Sequence, residues 1–345
     1  MGKLSWPALI GTLLRGQSLS EDETAWAMNE IMDGAATPTQ IAGFGIALRA
    51  KGETASEMTG LARAMLTHAT PLSLDGPVTD LVGTGGDGYL TVNISTMATI
   101  VAAAAGVPMA KHGNRAASSS CGAADVLEAL GVVIDLPPAA AAEVFAQTGI
   151  VFLFAALYHP AFRHTSVPRR ELGVPTAFNY LGPITNPARP SSVAVGVADP
   201  RMGSVLAEVL AARGNSALVF HGGGLDELTT TGPSTIWVVS SGTVSETTID
   251  PSALGLAPAT IEDLRGGDAE FNAAVVRSVL DGATGPVRDI VLLNAAAAIA
   301  ASSGVDGPVD DALRDGLARA AQATDSGAAA ELLDRWIDVS RSLVA

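Results

Sequence analysis

Apolar positions in roughly the first 70 residues recur at helical spacing, and none of that stretch alternates as a strand would. Ser5, with Pro7 in the first turn, opens one helix. Ser20 followed by Glu21, Asp22 and Glu23 opens a second, which turns Trp26, Met28, Ile31 and Met32 toward a core until Gly34 ends it. Thr37-Pro38 opens a third helix, and Thr54 caps a fourth that runs to His68. After residue 75 the pattern changes. Short apolar runs at 78–82, 107–110, 193–197 and 217–220 alternate with helical stretches at 95–105, 118–130 and 202–213. Alternation of this kind predicts an α/β fold with a largely parallel sheet. Residues 235–240 and 244–249 read as a hairpin at one sheet edge with Ser241-Gly242 in its turn, and the chain from Asp289 onward is helical. The expected architecture is a small N-terminal helical bundle domain, residues 1–70, and a larger α/β domain, residues 75–345, with a mostly parallel central sheet.

Composition narrows the function. A chain of 345 residues exceeds what one core usually spans, and 48% hydrophobic with only 4% aromatic residues makes the core aliphatic. The formal net charge of −15 argues against a general nucleic-acid binder, which needs a basic face. A small anionic substrate is still compatible with that charge, because a local basic cluster can reverse the field in a cleft, and basic residues bunch at 111–115 and 163–170. The lone cysteine, Cys121, forbids an intramolecular disulfide and fits a reducing compartment. No secretory leader pattern opens the chain, and no apolar run reaches the ~18–20 residues needed to span a bilayer. A cytoplasmic protein without a membrane partner is expected.

The chemistry concentrates in two glycine-marked turns. The first, Gly83-Thr84-Gly85-Gly86-Asp87-Gly88, follows an apolar strand, and its glycines let backbone N–H groups approach an anion. Asn93, Ile94, Ser95 and Thr96 then open a helix whose free N–H groups favour phosphate. The segment lacks both the Walker Gly-Lys-Ser/Thr ending and the dinucleotide-fold glycine spacing. The second turn, Lys111, His112, Gly113, Asn114, Arg115, Ala116, Ala117, Ser118 and Ser119, also lies between strand and helix. Two parallel βα turns would set both loops at the carboxyl edge of the sheet, where open α/β folds bind ligands. Asp226 and Glu227, on a glycine turn after another strand, suit Mg²⁺ if a polyphosphate lies beside them. Arg169 and Arg170 offer planar forks for a carboxylate, although adjacent arginines are more often surface charges. His159, before a proline, is a candidate for shaping an acceptor pocket, whereas His68 at a helix end reads as structural.

These segments, with Asn179-Tyr180-Leu181-Gly182-Pro183-Ile184-Thr185-Asn186-Pro187 and Gly224-Leu225-Asp226-Glu227, closely resemble the anthranilate phosphoribosyltransferase family over nearly the whole chain. The resemblance implies a fold of the nucleoside phosphorylase/phosphoribosyltransferase type, with the helical domain joined by the segment near 165–187, and a homodimer. It implies transfer of phosphoribose from phosphoribosyl pyrophosphate (PRPP) to the amine of anthranilate, in tryptophan biosynthesis. Carried over by position, PRPP would be held by Gly83, Gly86, Asp87, Thr91, Asn93 to Thr96 and Lys111 to Ser119. Ser95, Asp226 and Glu227 would bind Mg²⁺, and Gly83, Asn114 and Arg169 would contact anthranilate. Ala123, Pro168 and Pro175 stand where the family often has Ser, Val and Arg. Two other readings compete, a pyrimidine nucleoside phosphorylase and a non-catalytic nucleic-acid-binding relative. The 111–119 and 179–187 strings favour the transferase over the first, and the intact loops and acidic balance weigh against the second.

Overall fold

The computed structural model describes residues 4–116 and 120–344. Four helices come first: α1 (Trp6–Leu14), α2 (Glu21–Met32), α3 (Pro38–Lys51) and α4 (Ala55–Thr67). Capping boxes start three of them, pairing Ser20 with Glu23, Thr37 with Gln40 and Thr54 with Glu57. Each box satisfies two backbone donors that a helix start otherwise leaves open. Ser5 stands at the N-cap of α1, but its hydroxyl makes no capping bond there. Glu57 does more than cap. Its buried carboxylate also accepts from the Leu19 N–H at 2.9 Å and from Lys51 Nζ at 2.6 Å, tying α4 to α3 and to the connection between α1 and α2.

The second part alternates strand and helix: β1 (Thr79–Gly83), α5 (Ile94–Ala104), β2 (Met109–Gly113), α6 (Ala123–Leu130), α7 (Pro138–Thr148), β3 (Ile150–Phe154), α8 (Ala155–Tyr158) and α9 (Ser166–Leu172). It continues through β4 (Ser192–Gly196), α10 (Arg201–Ala212), β5 (Ser216–His221), β6 (Ser234–Ser240) and β7 (Thr243–Ile249). Four helices close the chain: α11 (Ala269–Leu280), α12 (Pro286–Ser303), α13 (Val309–Asp325) and α14 (Ala328–Ser342). The sheet order is β3-β2-β1-β4-β5-β6-β7, parallel from β3 to β5 and antiparallel across β6 and β7. The expected edge hairpin is present, and Ser241 and Gly242 turn it with φ of 50° and 75°, as a two-residue turn between right-twisted strands requires.

Alternation along β1, β4, β5 and β6 splits the core into two layers, whereas the buried apolar residues of β2 and β3 all join the first. Ala194, Leu218 and Phe220 face α5, α12 and the other C-terminal helices, whereas Val193, Val195, Val219 and Trp237 face α10 and the helical bundle. One apolar core therefore runs from the sheet into the bundle. No helix among the described residues is long and apolar enough to cross a membrane.

Two local expectations need correction. The strand expected at 107–110 runs instead over Met109–Gly113, because its residues pair one by one with Ile150–Phe154 of β3. Lys111, His112 and Gly113 thus sit on a strand rather than in the loop. The helix expected from 118 starts at Ala123. The Asp125 carboxylate takes the N–H groups of Gly122 and Ala116, at 2.9 and 3.0 Å, and so fixes the helix start there. Ala117, Ser118 and Ser119 lie outside the described residues.

Candidate active site

Both glycine turns leave the carboxyl ends of neighbouring parallel strands, β1 and β2, so the predicted shared edge exists. The sheet order reverses direction around β1, the usual location of ligand clefts in such sheets. Glycine is needed here for close approach. A Cβ on Gly83 would lie 2.1 Å from Asp226 Oδ2, and one on Gly196, at the end of β4, would lie 1.6 Å from the Asp226 carbonyl oxygen. Their absence lets the 222–227 turn fold over the strand ends. From there Asp226 Oδ2 accepts the Gly85 N–H at 2.6 Å.

The charged half of the site gathers around this turn. Lys111 is only 2% exposed; its ammonium donates to the Leu81 carbonyl at 2.6 Å and to Ser95 Oγ at 3.2 Å. Burial pulls its pKa down, while Asp80, Glu227 and Asp226 act to keep it charged. Burial pushes the Asp226 carboxyl up to about 7, and the neighbouring Asp87 adds to that push. Glu227 is raised as well, by burial first and then by Asp226. Carboxylates that raise one another in this way form a place where a divalent cation would relieve repulsion. Among the described residues no three His, Cys, Asp or Glu side chains form a self-sufficient metal cage. The donor set therefore fits Mg²⁺, which typically takes one or two carboxylates and completes its shell with phosphate and water oxygens.

Two residues to which sequence reading gave no role support Lys111. Asp80 is fully buried, with its pKa raised by burial to about 6 and pulled back by Lys111. It accepts from the His112 N–H at 3.1 Å and from Asn186 Nδ2 at 2.9 Å, and Asn186 also donates to the Ala110 carbonyl at 2.8 Å. The available signal was an aspartate inside an apolar strand run, where an unpaired carboxylate would be costly.

The neutral half is a cavity of about 360 Å³ that opens beside Gly83 and brings Gly83, Asn114 and Arg169 together with His112, His159 and Phe178. These three are the residues the family resemblance assigned to the acceptor, although Arg169 comes from α9, far along the chain. The Arg169 guanidinium lies over the Phe162 ring, 5.4 Å from its centroid, and burial lowers its pKa. The His112 and His159 rings meet edge to face at 5.2 Å. His112 Nδ1 pairs with the Gly182 carbonyl at 3.1 Å and His159 Nε2 with the Thr185 carbonyl at 2.9 Å. A carbonyl only accepts, so those nitrogens carry the protons. His112 Nε2 and His159 Nδ1 are then buried acceptors that lack a hydrogen-bond partner among the described residues. Burial holds both rings neutral, at about 3 for His112 and about 4 for His159.

The remaining predicted residues frame the cleft in different ways. Gly85, Gly86 and Gly88 have positive φ, and the Asp87 carboxylate accepts the Tyr89 N–H. Thr91 forms an isolated bridge with Arg265. Asn93 does not cap α5; its side chain joins the Cys121 carbonyl to Asn272. Ile94 is buried, and the buried Thr96 hydroxyl has no partner among the described residues. Arg115 pairs with Asp125 and Glu128 of α6 and stacks over Phe154, so its charge is directed onto that helix.

Comparison with known proteins agrees with this geometry. Residues 7–69 match the glycosyl transferase family helical bundle domain and residues 75–330 the glycosyl transferase family a/b domain. The anthranilate phosphoribosyltransferase of Thermobifida fusca is 59% identical over 99% of this chain and 99% of its own. The solved anthranilate phosphoribosyltransferase of Thermus thermophilus superposes with a TM-score of 0.90 at 41% identity, covering 96% of this chain and 99% of the other. The Saccharomyces cerevisiae enzyme, solved in complex with PRPP and Mg, superposes at 0.88 with 28% identity, over 99% of each chain. With the fold, the paired glycine turns and these relatives in agreement, the chain belongs to the anthranilate phosphoribosyltransferase family.

Proposed function

We propose a division of labour within the activity of the family: the charged half of the cleft receives PRPP and the neutral half receives anthranilate. The enzyme transfers phosphoribose from PRPP to the amine of anthranilate, releasing pyrophosphate. The observation that carries the division is that Gly83 borders both halves, contacting the Asp226 turn on one side and the Arg169 cavity on the other.

In this reading the N–H groups of the Gly83–Gly88 turn and the start of α5 take the phosphates, and Lys111, Asn114 and the 115–119 segment complete their cradle. Breaking the bond from the anomeric carbon to the pyrophosphate oxygen leaves positive charge on the sugar and negative charge on the departing group. Lys111, held charged by Asp80, opposes that negative charge from a fixed, dehydrated position. Mg²⁺, held by Ser95, Asp226 and Glu227, would supply further charge neutralisation at the phosphates. Arg169 forks onto the anthranilate carboxylate, which sets the ring and points its amine toward the anomeric carbon. The C–N bond then forms and the amine nitrogen releases one proton. An aromatic amine is already nucleophilic, so holding it in line contributes more than a strong base would.

Residues 1–70 act as one domain, joined by the segment near 165–187 of the chain, and the α/β part within 75–345 acts as the other. Leu14, Ile46, Val167 and Val174 expose apolar side chains on the helical part, which supports a homodimer formed there. A cytoplasmic setting fits the single cysteine, and the charge of −15 fits a protein without nucleic-acid partners.

The decisive assay mixes enzyme, PRPP, anthranilate and Mg²⁺ and follows the loss of anthranilate fluorescence. EDTA should abolish the loss, and the Asp226→Asn/Glu227→Gln double variant should slow it by at least about a thousandfold. Activity within tenfold of the unmodified enzyme in that variant would remove these carboxylates from the metal site.

A further inference from the structure

Pro183 lines the acceptor cavity on one side and a second cavity, of about 600 Å³, on the other. This second space lies between α4, the C-terminal end of α10 and residues 183–191. Its apolar wall is formed by Leu66, Ile184, Val193 and Leu210.

Three arginines line the same space in a chain whose net charge is −15. Arg63 is already paired, with Glu21 at 2.6 Å and Asp22 at 2.7 Å. Arg213 is different: one N–H group donates to the Ile184 carbonyl at 2.5 Å, and its pKa is lowered by desolvation first and then by Arg189, with Glu21 acting against both. A structural role explains that single hydrogen bond but not a second cation across the same cavity. Arg189 is exposed, and its backbone holds φ at 50°, outside the usual range for a residue with a side chain. It does so directly before Pro190, where a residue normally adopts extended backbone. Such strain persists where the surrounding structure imposes it, and it is concentrated at ligand sites. Two mutually repelling cations over an apolar wall are complementary to an anion with an apolar body.

We propose that this cavity is a second ligand site, separate from the substrate cleft, that takes a small organic acid with its carboxylate on Arg213 and Arg189 and its apolar body against Leu66, Ile184 and Leu210. The acceptor cavity also invites a carboxylate, so the test must silence it. Calorimetric titration of 1-naphthoate into the full-length Arg169→Ala enzyme should still show binding. Adding Arg213→Met or Arg189→Ala should weaken that binding at least tenfold. Arg189→Ala removes an exposed side chain, so it keeps the test decisive if loss of the Arg213 hydrogen bond prevents folding. Binding that disappears with Arg169→Ala alone, or that neither arginine variant alters, overturns the site. Inorganic phosphate binding there as tightly as 1-naphthoate would overturn the apolar-bodied ligand.

Discussion

The two halves of the cleft share a sheet edge but are built on opposite electrostatic principles. Around the half-buried Asp226 the chain buries Asp80, Lys111 and Glu227, close enough for these charges to shift the ionisation of their neighbours. Across Gly83, the cavity is lined by two histidines kept neutral and by two arginines, Arg163 and Arg169, the latter stacked on Phe162. Buried charge is expensive unless it is paired, so the first arrangement makes sense where a highly charged substrate and a metal ion complete it. A cavity that sets arginine cations beside neutral rings suits a ligand that carries a carboxylate and an apolar ring. In the division proposed above, the cleft is split according to where charge develops: fixed charges would face the leaving group, and the neutral histidine rings would face the amine.

Gly83→Ala should break this division most severely, because it acts on the boundary itself. The added methyl would require Asp226 to move away from a carbon placed 2.1 Å from its Oδ2. That motion also breaks the 2.6 Å bond from Gly85, which orders the first phosphate turn. Misplacement of about 1 Å in a reacting constellation can cost about a hundredfold, so kcat/KM should fall by at least that much for both substrates. Steady-state kinetics on a variant with unchanged circular dichroism would measure it. A loss below threefold would mean that the Asp226 turn is not tightly seated on β1.

Arg169→Ala sharpens the comparison by touching only the neutral half. A hydrogen-bonded charge contributes about 1.5–3 kcal/mol, which corresponds to a rise in the anthranilate KM of roughly ten- to a hundredfold. The KM for PRPP should stay within about threefold, because a change of that size stays below ~1 kcal/mol. Equal rises for both substrates would remove Arg169 from its assigned place.

Much of the fold was legible because its signals are local. The Ser20, Thr37 and Thr54 helix starts, the alternation after residue 75 and the Ser241-Gly242 turn each follow from a few neighbouring residues. The two glycine turns were legible for the same reason. The illegible parts depend on long-range pairing. Lys111 reads as a loop residue until β3 is seen beside β2, and the late start of α6 depends on Asp125 reaching back to Ala116. The support that Asn186 gives Asp80 crosses 106 positions, beyond any local pattern. Arg115 shows the same dependence: nothing in its own turn signals that its guanidinium bonds Glu128, 13 residues on.

The smallest effect is one of stability, and it isolates the neutrality of the acceptor half. His159 is 2% exposed, and burial holds its pKa near 4 against about 6.5 for an unfolded histidine. Between these values the unfolded chain binds a proton that the folded one refuses, so folding loses stability as pH falls. The contribution is fully present above pH 6.5 and declines toward pH 4. Glutamine at this position can still donate to the Thr185 carbonyl but does not titrate. The stability advantage of the unmodified enzyme over His159→Gln should therefore shrink by on the order of 1 kcal/mol per pH unit below 6.5. Urea unfolding midpoints at pH 7.5, 6.0 and 5.0 would show the trend. A gap that stays constant across that range would mean the ring is protonated or solvated in the folded protein, and the uncharged wall of the acceptor cavity would lose its basis.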